Sequence, residues 1–441
     1  MVDDADYADR AFGNLYYPAA IHQSSVEKMR PYQVCLIIIL ALTLAAAALW
    51  GWRTYNEPPS SEHSISDTIV LLSIPDLSDE DNNLRTDRWD NGQSAYKWLA
   101  PFYDALAYSR EQTIRVVHYG DSQIEGDRMT FVLRRALQDR FGGNGVGLLP
   151  LYQTLDVRTS LQTIQHANRT IAPKVYRAYG PTSYRCSDGL YGPMAQVYIM
   201  DNVKVAGSED LVWNIRTRLN GPESRFTRIR IVAEQDSFVY MPDTVSSYAL
   251  HLTGKHHIYG LSAETPTGIQ VDNIPMRGCA GTIFTHIDST ALSHYFDHTR
   301  TRLIIWQFSG NVVPYVKTDQ QITHYVNRVK QQIRYLHQVA PAAAILMIGP
   351  SDMLYHEGGQ RKSYRVLPAL DKALQTAAEE ERAAYWSLFD AMGGAGSMNE
   401  WIQQGLAGQD GIHFTRNGAD KAGQLLSDYL LFPINNANGL H

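Results

Sequence analysis

Short apolar runs alternate with stretches of helical period in two parts of the chain. Five runs have the length and composition of buried strands, at 113–119, 268–275, 302–308, 343–349 and 384–390. Apolar residues spaced three or four apart predict helices at 127–141, 318–338, 364–382 and 415–431. Strands that alternate with helices predict a parallel sheet covered on both faces, in which ligands bind at the carboxyl ends of the strands.

The alternation stops between residues 152 and 266. This segment is rich in Thr, Tyr, Val and Arg, and its short strand-like runs are separated by Gly, Pro, Asn and Asp. We therefore expect an antiparallel β domain at 152–266, inserted into an α/β domain that comprises 96–151 and 267–435.

An uncharged apolar run near the N-terminus predicts a membrane anchor. It spans 34–52, close to the ~20 residues that a membrane-spanning helix needs. Lys28 and Arg30 precede it, so the positive-inside rule places a tail at 1–33 in the cytoplasm and the bulk of the chain outside. A cleaved signal peptide is the alternative, but about 30 residues before the run are long for one. Residues 53–95 are rich in Pro, Ser, Asp and Asn and read as a linker.

Composition excludes several classes of partner. A net charge of −6 over 441 residues provides no basic surface for nucleic acid. The three cysteines lack the spacing of a zinc site, and a disulfide between Cys186 and Cys279 is possible without being required. His294 and His298 lie four apart, as metal ligands on a helix do, but a solvated helix face is the favoured interpretation because no acidic third ligand stands at a suitable spacing. We predict no metal and no cofactor.

The sequence GDSQ places Ser122 directly after one strand and before a helix. There a hydroxyl can face a pocket, and the backbone N–H and helix dipole stabilise nearby negative charge. A general base is available near the C-terminus, where Asp410 stands three residues before His413. The carboxylate can accept the Nδ1 proton of the imidazole and leave Nε2 facing the serine. These residues predict a catalytic triad of Ser122, His413 and Asp410.

Two further strand ends supply candidate donors for an oxyanion. Asn311 follows the strand at 302–308, and its amide can donate into a site at that edge of the sheet. A glycine-containing turn follows the strand at 268–275, and the N–H of Gly281 can approach a substrate closely. Gly278 is the alternative in this turn. Together with the Ser122 N–H, these groups predict an oxyanion hole.

The four blocks GDSQ, the Gly281 turn, Gly310–Asn311 and DGIH at 410–413 resemble those of the SGNH, or GDSL, hydrolases. The resemblance implies a flavodoxin-like three-layer α/β/α fold, Ser122 as the nucleophile, His413 as the base and Asp410 as its orienting group. It also implies Ser122, Gly281 and Asn311 as the oxyanion-hole donors. The chain departs from the pattern at Gln123, where the family has Leu, and at SGNVV, where many members have Gly-Thr-Asn-Asp.

A narrower resemblance comes from the run at 389–426, which is similar to the peptidoglycan O-acetylesterases and related O-acetyltransferases. In that branch an inserted β-sandwich resembling a carbohydrate-binding module accompanies the catalytic domain, and the resemblance implies that the segment at 152–266 is such a domain. The resemblance implies an esterase that acts on O-acetylated cell-wall polysaccharide, and the apolar run at 34–52 predicts that it is membrane-anchored, with its catalytic domain in the periplasm or otherwise outside the cytoplasm. An O-acetyltransferase with the same residues, a catalytically silent glycan-binding scaffold, and a lipase or thioesterase are the alternatives. Intact Ser122, Asp410 and His413 disfavour the scaffold, and the polar insertion disfavours the lipase.

Overall fold

The computed structural model describes residues 94–151, 161–166, 174–200, 211–217, 225–252 and 256–437. The predicted cytoplasmic tail, membrane anchor and nearly all of the linker lie outside these residues. Within the described ranges, no helix is both long and apolar enough to cross a bilayer.

A five-stranded parallel sheet lies at the centre of the molecule. Its strands are β1 (Thr113–Gly120), β11 (Gly268–Pro275), β12 (Thr301–Gln307), β13 (Ala344–Ile348) and β16 (Ala384–Trp386). They lie side by side in the order β11–β1–β12–β13–β16, and each pair is parallel. Numbered along the sheet by their own sequence, this is the order 2-1-3-4-5 of the flavodoxin-like folds. The predicted parallel sheet and its topology are confirmed.

Helices cover both faces of this sheet. They are α1 (Ala100–Leu106), α2 (Arg128–Phe141), α3 (Ser289–His298), α4 (Asp319–Val339), α5 (Leu367–Glu380), α6 (Leu388–Met392), α7 (Ser397–Gln403) and α8 (Arg416–Ala437). Alternate β1 side chains enter two separate cores, with Val116 packing in the core that includes α1, α2 and α8 residues and Val117 in the core that includes α3, α4 and α5 residues. All eight β1 residues are buried, as a strand covered on both faces requires.

One predicted element is wrong in part. The apolar run at 384–390 is a strand only as far as Trp386, and α6 follows at Leu388. The Ser387 hydroxyl accepts a hydrogen bond from the Asp390 N–H and so caps the N-terminus of this helix. The cap explains why an apolar run of strand type changes structure in its middle.

The segment between β1 and β11 carries the antiparallel strands that its composition predicts. One sheet contains β4 (Lys174–Arg177), β5 (Gln196–Met200), β7 (Phe226–Ala233), β8 (Ser237–Val245) and β10 (His256–Glu264), and a smaller one contains β3 (Leu161–His166), β6 (Leu211–Thr217) and β9 (Ser247–Leu252). The short strand β2 (Gly147–Leu149) pairs with β10, so the antiparallel sheet begins before residue 152.

A buried ion network joins β10 of this antiparallel sheet to the parallel sheet. Arg115 of β1 is fully buried and pairs with Glu264 at the end of β10 and with Asp272 of β11. Arg228 and Arg230 of β7 also pair with Glu264, at 2.8 and 3.3 Å. The network ties the two sheets together at the point where the chain returns from β10 to β11.

Candidate active site

Ser122 lies at the carboxyl end of β1, where the strand gives way to a 3-10 turn, Ser122–Asp127. A Cβ at Gly120 would lie 2.8 Å from the Gln307 carbonyl oxygen, so the close approach of β1 to β12 requires glycine there. The Asp121 carboxylate accepts a hydrogen bond from the Gln123 N–H (3.0 Å) and caps the turn. These contacts fix the backbone that presents Ser122.

The structure brings the three predicted triad residues into a hydrogen-bonded chain. Ser122 Oγ lies 2.9 Å from His413 Nε2, although the two residues are 291 positions apart. His413 Nδ1 lies 2.7 Å from Asp410 Oδ2. The other Asp410 oxygen accepts hydrogen bonds from the Ile412 and His413 N–H groups, at 3.0 and 3.1 Å. Asp410 therefore shapes the loop and orients the imidazole at the same time.

The Asp410 carboxylate is set up to remain ionised. Burial works against ionisation, but the hydrogen bonds from the His413 ring and from the Ile412 and His413 amides outweigh it and hold the pKa of Asp410 below its usual value. An ionised Asp410 accepts the proton on His413 Nδ1, which leaves Nε2 as an acceptor for the Ser122 hydroxyl proton. This arrangement suits general-base activation of a serine.

Two of the three predicted oxyanion donors, Asn311 and Gly281, are hydrogen-bonded to Cys279. Asn311, in the turn after β12, donates from Nδ2 to the Cys279 carbonyl (3.1 Å) and to Asp121 Oδ2 (3.2 Å). The Gly281 N–H donates to Cys279 Sγ at 3.4 Å. Gly278 and Gly281 both have a positive φ, +77° and +79°, which favours glycine at each position. A Cβ on Gly281 would also lie 2.4 Å from the Trp306 ring, whereas a Cβ on Gly278 would meet open space. Close packing therefore requires glycine at 281 rather than at 278.

Asp121, the acidic residue of the GDSQ block, is a buried carboxylate. It is 3% exposed and contacts Asn311, one of the predicted donors. Burial raises the pKa of Asp121 to about 6, against the opposing effects of the Gln123 N–H and of His413. The GDS motif is the only sequence feature that points to Asp121. The role of this carboxylate becomes clear only from its tertiary contact with Asn311.

Comparisons with known proteins show the fold. No protein-family model and no curated protein sequence matches the chain. A solved structure of a peptidoglycan O-acetylesterase matches 77% of this chain and 96% of its own, with 21% sequence identity and a TM-score of 0.61. The chain shares that enzyme's fold. A match over 77% of the chain covers more residues than the parallel sheet and its helices contain.

Two other solved structures match smaller parts of the chain. The periplasmic domain of a lipopolysaccharide acetyltransferase from Salmonella ser. Paratyphi A matches 38% of this chain and 74% of its own, at 12% identity and a TM-score of 0.28. An acetylxylan esterase from Geobacillus stearothermophilus matches 38% and 73%, at 15% identity and a TM-score of 0.25.

A short hairpin that was not predicted lies against the loop of Asp410 and His413. Its strands are β14 (Leu354–Glu357) and β15 (Gln360–Ser363). The Leu354 N–H donates to the Gly411 carbonyl (2.9 Å), and Arg361 donates to the Gln409 side chain (3.0 Å). Just before the hairpin, Asp352 is fully buried and accepts hydrogen bonds from the Gly396 and Met398 N–H groups at the start of α7.

Aromatic side chains lie on the hairpin and directly after it. The rings of Tyr355 and Tyr364 lie 5.0 Å apart, and Tyr315, four residues after Asn311, is 39% exposed. Burial, with Tyr315 and Tyr355 nearby, raises the pKa of Tyr364 above its usual value. We call Tyr315, Tyr355 and Tyr364 the tyrosine group.

The paired histidines that the sequence offered as metal ligands lie on α3. The rings of His294 and His298 stack at 4.0 Å, and the nearest acid to His294 Nε2 is Asp236, at 3.9 Å. Across the described ranges, no cluster of three or more His, Cys, Asp or Glu side chains could hold a metal ion. Cys186 and Cys279 are both free thiols, so the possible disulfide between them does not form.

Proposed function

We propose that this protein is a serine esterase that removes O-acetyl groups from cell-wall glycan. The observation that carries the proposal is the hydrogen-bonded chain from Ser122 through His413 to Asp410, held in the fold of a peptidoglycan O-acetylesterase. Asn311 donates to Asp121, the residue before Ser122, and both Asn311 and Gly281 donate to Cys279, which supports them as candidate oxyanion donors.

The proposed reaction forms and breaks an acetyl-serine. His413 Nε2 takes the Ser122 proton as the oxygen attacks the acetyl carbonyl. The Ser122 N–H stabilises the oxyanion, together with the Gly281 N–H and the Asn311 side-chain amide when these turn from Cys279 to the substrate. Collapse of the tetrahedral intermediate expels the sugar oxygen, which receives the proton from His413. Water, deprotonated by the same imidazole, then attacks acetyl-Ser122. The bond between the acetyl carbon and the Ser122 oxygen breaks, His413 returns the proton to that oxygen, and acetate is released. Asp410 orients the imidazole and stabilises its positive charge in both halves.

The tyrosine group supports a glycan as the substrate. Aromatic rings with polar tips can pack against the apolar face of a pyranose while their hydroxyls remain near water. Tyr355 lies on the hairpin that contacts the His413 loop, Tyr364 directly follows the hairpin, and Tyr315 is four residues after Asn311. We propose that it holds a sugar ring beside Ser122 and that the antiparallel β insertion contributes further glycan contacts.

The exposure of the candidate triad favours hydrolysis over acetyl transfer. The side chains of His413 and Asp410 are 43% and 48% exposed, so water reaches the imidazole that would activate it. A transferase with the same residues would need an acceptor site from which water is excluded.

We also propose a membrane-anchored location outside the cytoplasm. The uncharged run at 34–52 and the cations before it, at 28 and 30, support a single anchoring helix with the N-terminus in the cytoplasm. Tethering would then hold the enzyme at a high local concentration near a polymer substrate in the envelope.

The test is to incubate the purified full-length protein with O-acetylated peptidoglycan and a soluble muroglycan acceptor. We expect free acetate as the main product. Acetylated acceptor with little free acetate would show a transferase instead. If neither free acetate nor acetylated acceptor formed, the proposed substrate would be contradicted.

A further inference from the structure

The Gln123 side chain links the turn of Ser122 to the loop of His413. Its Nε2 donates a 2.7 Å hydrogen bond to the Ile412 carbonyl, and its Oε1 accepts a 3.4 Å hydrogen bond from the Phe414 N–H. Ile412 and Phe414 are the two chain neighbours of His413. Gln123 is 8% exposed, so water competes little for these groups.

The His413 loop has few other anchors to the turn that carries Ser122. Asp410 braces the loop internally, and Leu354 holds it from the hairpin side. Arg128, at the start of α2, donates to the Phe414 carbonyl (2.9 Å) on one side of the histidine. Gln123 alone among these residues is covalently adjacent to Ser122, and it holds the backbone on both sides of His413.

We infer that Gln123 is a positioning residue that sets the separation of Ser122 Oγ and His413 Nε2, an inference that rests on the proposed role of Ser122 as nucleophile. Proton transfer from serine to imidazole depends steeply on this separation, which is 2.9 Å. A leucine, which the SGNH pattern has at this position, fills a similar volume but offers neither a donor to Ile412 nor an acceptor to Phe414. The glutamine replaces apolar packing with a polar bridge between the two halves of the site.

The experiment compares Gln123→Leu with wild type in the full-length protein. One readout is the rate at which a fluorophosphonate probe labels Ser122, and the other is kcat and KM for a small activated acetate ester. We expect labelling and kcat to fall by ~10–100-fold, with little change in KM, because a small displacement of reacting groups has effects of this size.

Gln138→Leu is the matched control. Gln138 is also a buried glutamine whose Nε2 donates to two backbone carbonyls, those of Gly145 (3.1 Å) and Ile269 (3.0 Å), but it lies near the far end of α2. We expect this variant to lose thermal stability and keep the wild-type rate per folded molecule. Gln123→Met repeats the test with an unbranched side chain if the leucine variant does not fold.

A folded Gln123→Leu or Gln123→Met protein that labels at the wild-type rate would overturn the inference. Equal rate losses in the Gln123 and Gln138 variants would also overturn it, because the effect would then be general loss of stability. Wild-type protein that is labelled at Ser122 but releases no acetate from peptidoglycan would overturn the proposed substrate. The labelling rates of the Gln123 variants would still test the positioning role, because they do not depend on that substrate.

Discussion

Asp121 links the turn of Ser122 to the side chain of Asn311 and titrates far from the ordinary range of a carboxyl group. Burial raises its pKa from 3.8 to about 6, so the unfolded chain releases this proton at a lower pH than the folded protein does. The fold therefore gains stability from the protonated form below pH 3.8 and loses it as the pH rises from 3.8 to about 6. The contribution is roughly 3 kcal/mol, since one pKa unit corresponds to ~1.4 kcal/mol.

We predict that Asp121→Asn removes this dependence on pH. The free energy of unfolding of the variant, relative to wild type, should rise between about pH 4 and pH 6, because wild type alone loses stability there. Urea unfolding at a series of pH values measures the difference. A difference that stays constant across this range would show that Asp121 does not titrate as its burial requires.

The ends of three adjacent strands carry most of the candidate site. Ser122 follows β1, the Gly281 turn follows β11 and Asn311 follows β12, which are neighbours in the sheet. The sequence predicts these positions because each strand is a clear apolar run that stops at a glycine or polar turn. It also predicts Asp410 and His413 together, because they are three residues apart in one loop.

Other elements could not be predicted because their signals are tertiary. The hairpin of β14 and β15 has four-residue strands rich in charge, without alternating apolar positions. Strand β2 has only three residues, and it is assigned to the antiparallel sheet only by its pairing with β10. The bridge from Gln123 to the His413 loop joins residues about 290 positions apart, and nothing in either local sequence indicates it.

The tyrosine group gives the hairpin a testable role in binding. We predict that Tyr364→Ala lowers kcat/KM for O-acetylated peptidoglycan by about tenfold, the equivalent of an aromatic contact of ~1.5 kcal/mol. The rate with a small acetate ester should not change, because that substrate has no sugar ring to pack. Parallel kinetics on the two substrates measure the effect.

Tyr108→Ala is the control for this prediction. Tyr108 is a 44% exposed tyrosine after α1, on the side of the sheet where β1 begins rather than where it ends at Ser122. Its loss should affect neither substrate. Equal losses on both substrates in Tyr364→Ala would indicate damage to the loop of Asp410 and His413 instead of a lost sugar contact.

At the scale of the whole molecule, the buried network around Glu264 joins the two sheets. Burial opposes ionisation of Glu264, but Arg115, Arg230 and Arg228 outweigh it and lower its pKa from 4.5 to about 2. A lowered carboxyl pKa contributes stability that is present above pH 4.5 and is lost as the pH falls from 4.5 to about 2. The association of the two sheets should therefore weaken in acid.

We predict that Glu264→Gln lowers the free energy of unfolding by ~3–5 kcal/mol at neutral pH, because the change leaves buried arginines without their shared anion. The deficit should shrink near pH 2–3, where wild type also loses the charge. Urea unfolding at both pH values measures it. Glu379→Gln, which breaks a surface pair with Lys97, should cost at most ~1 kcal/mol, and an equal cost for both variants would contradict the role of the network.

The most direct test of the central claim is to identify the residue that carries the acetyl group during turnover. Wild-type protein mixed with O-acetylated peptidoglycan is quenched in acid and digested, and its peptides are examined by mass spectrometry. We predict one acetyl group on Ser122, absent from Ser122→Ala, together with loss of acetate release in that variant. Acetate release that persists in Ser122→Ala, or an acetyl group on another residue, would contradict the account.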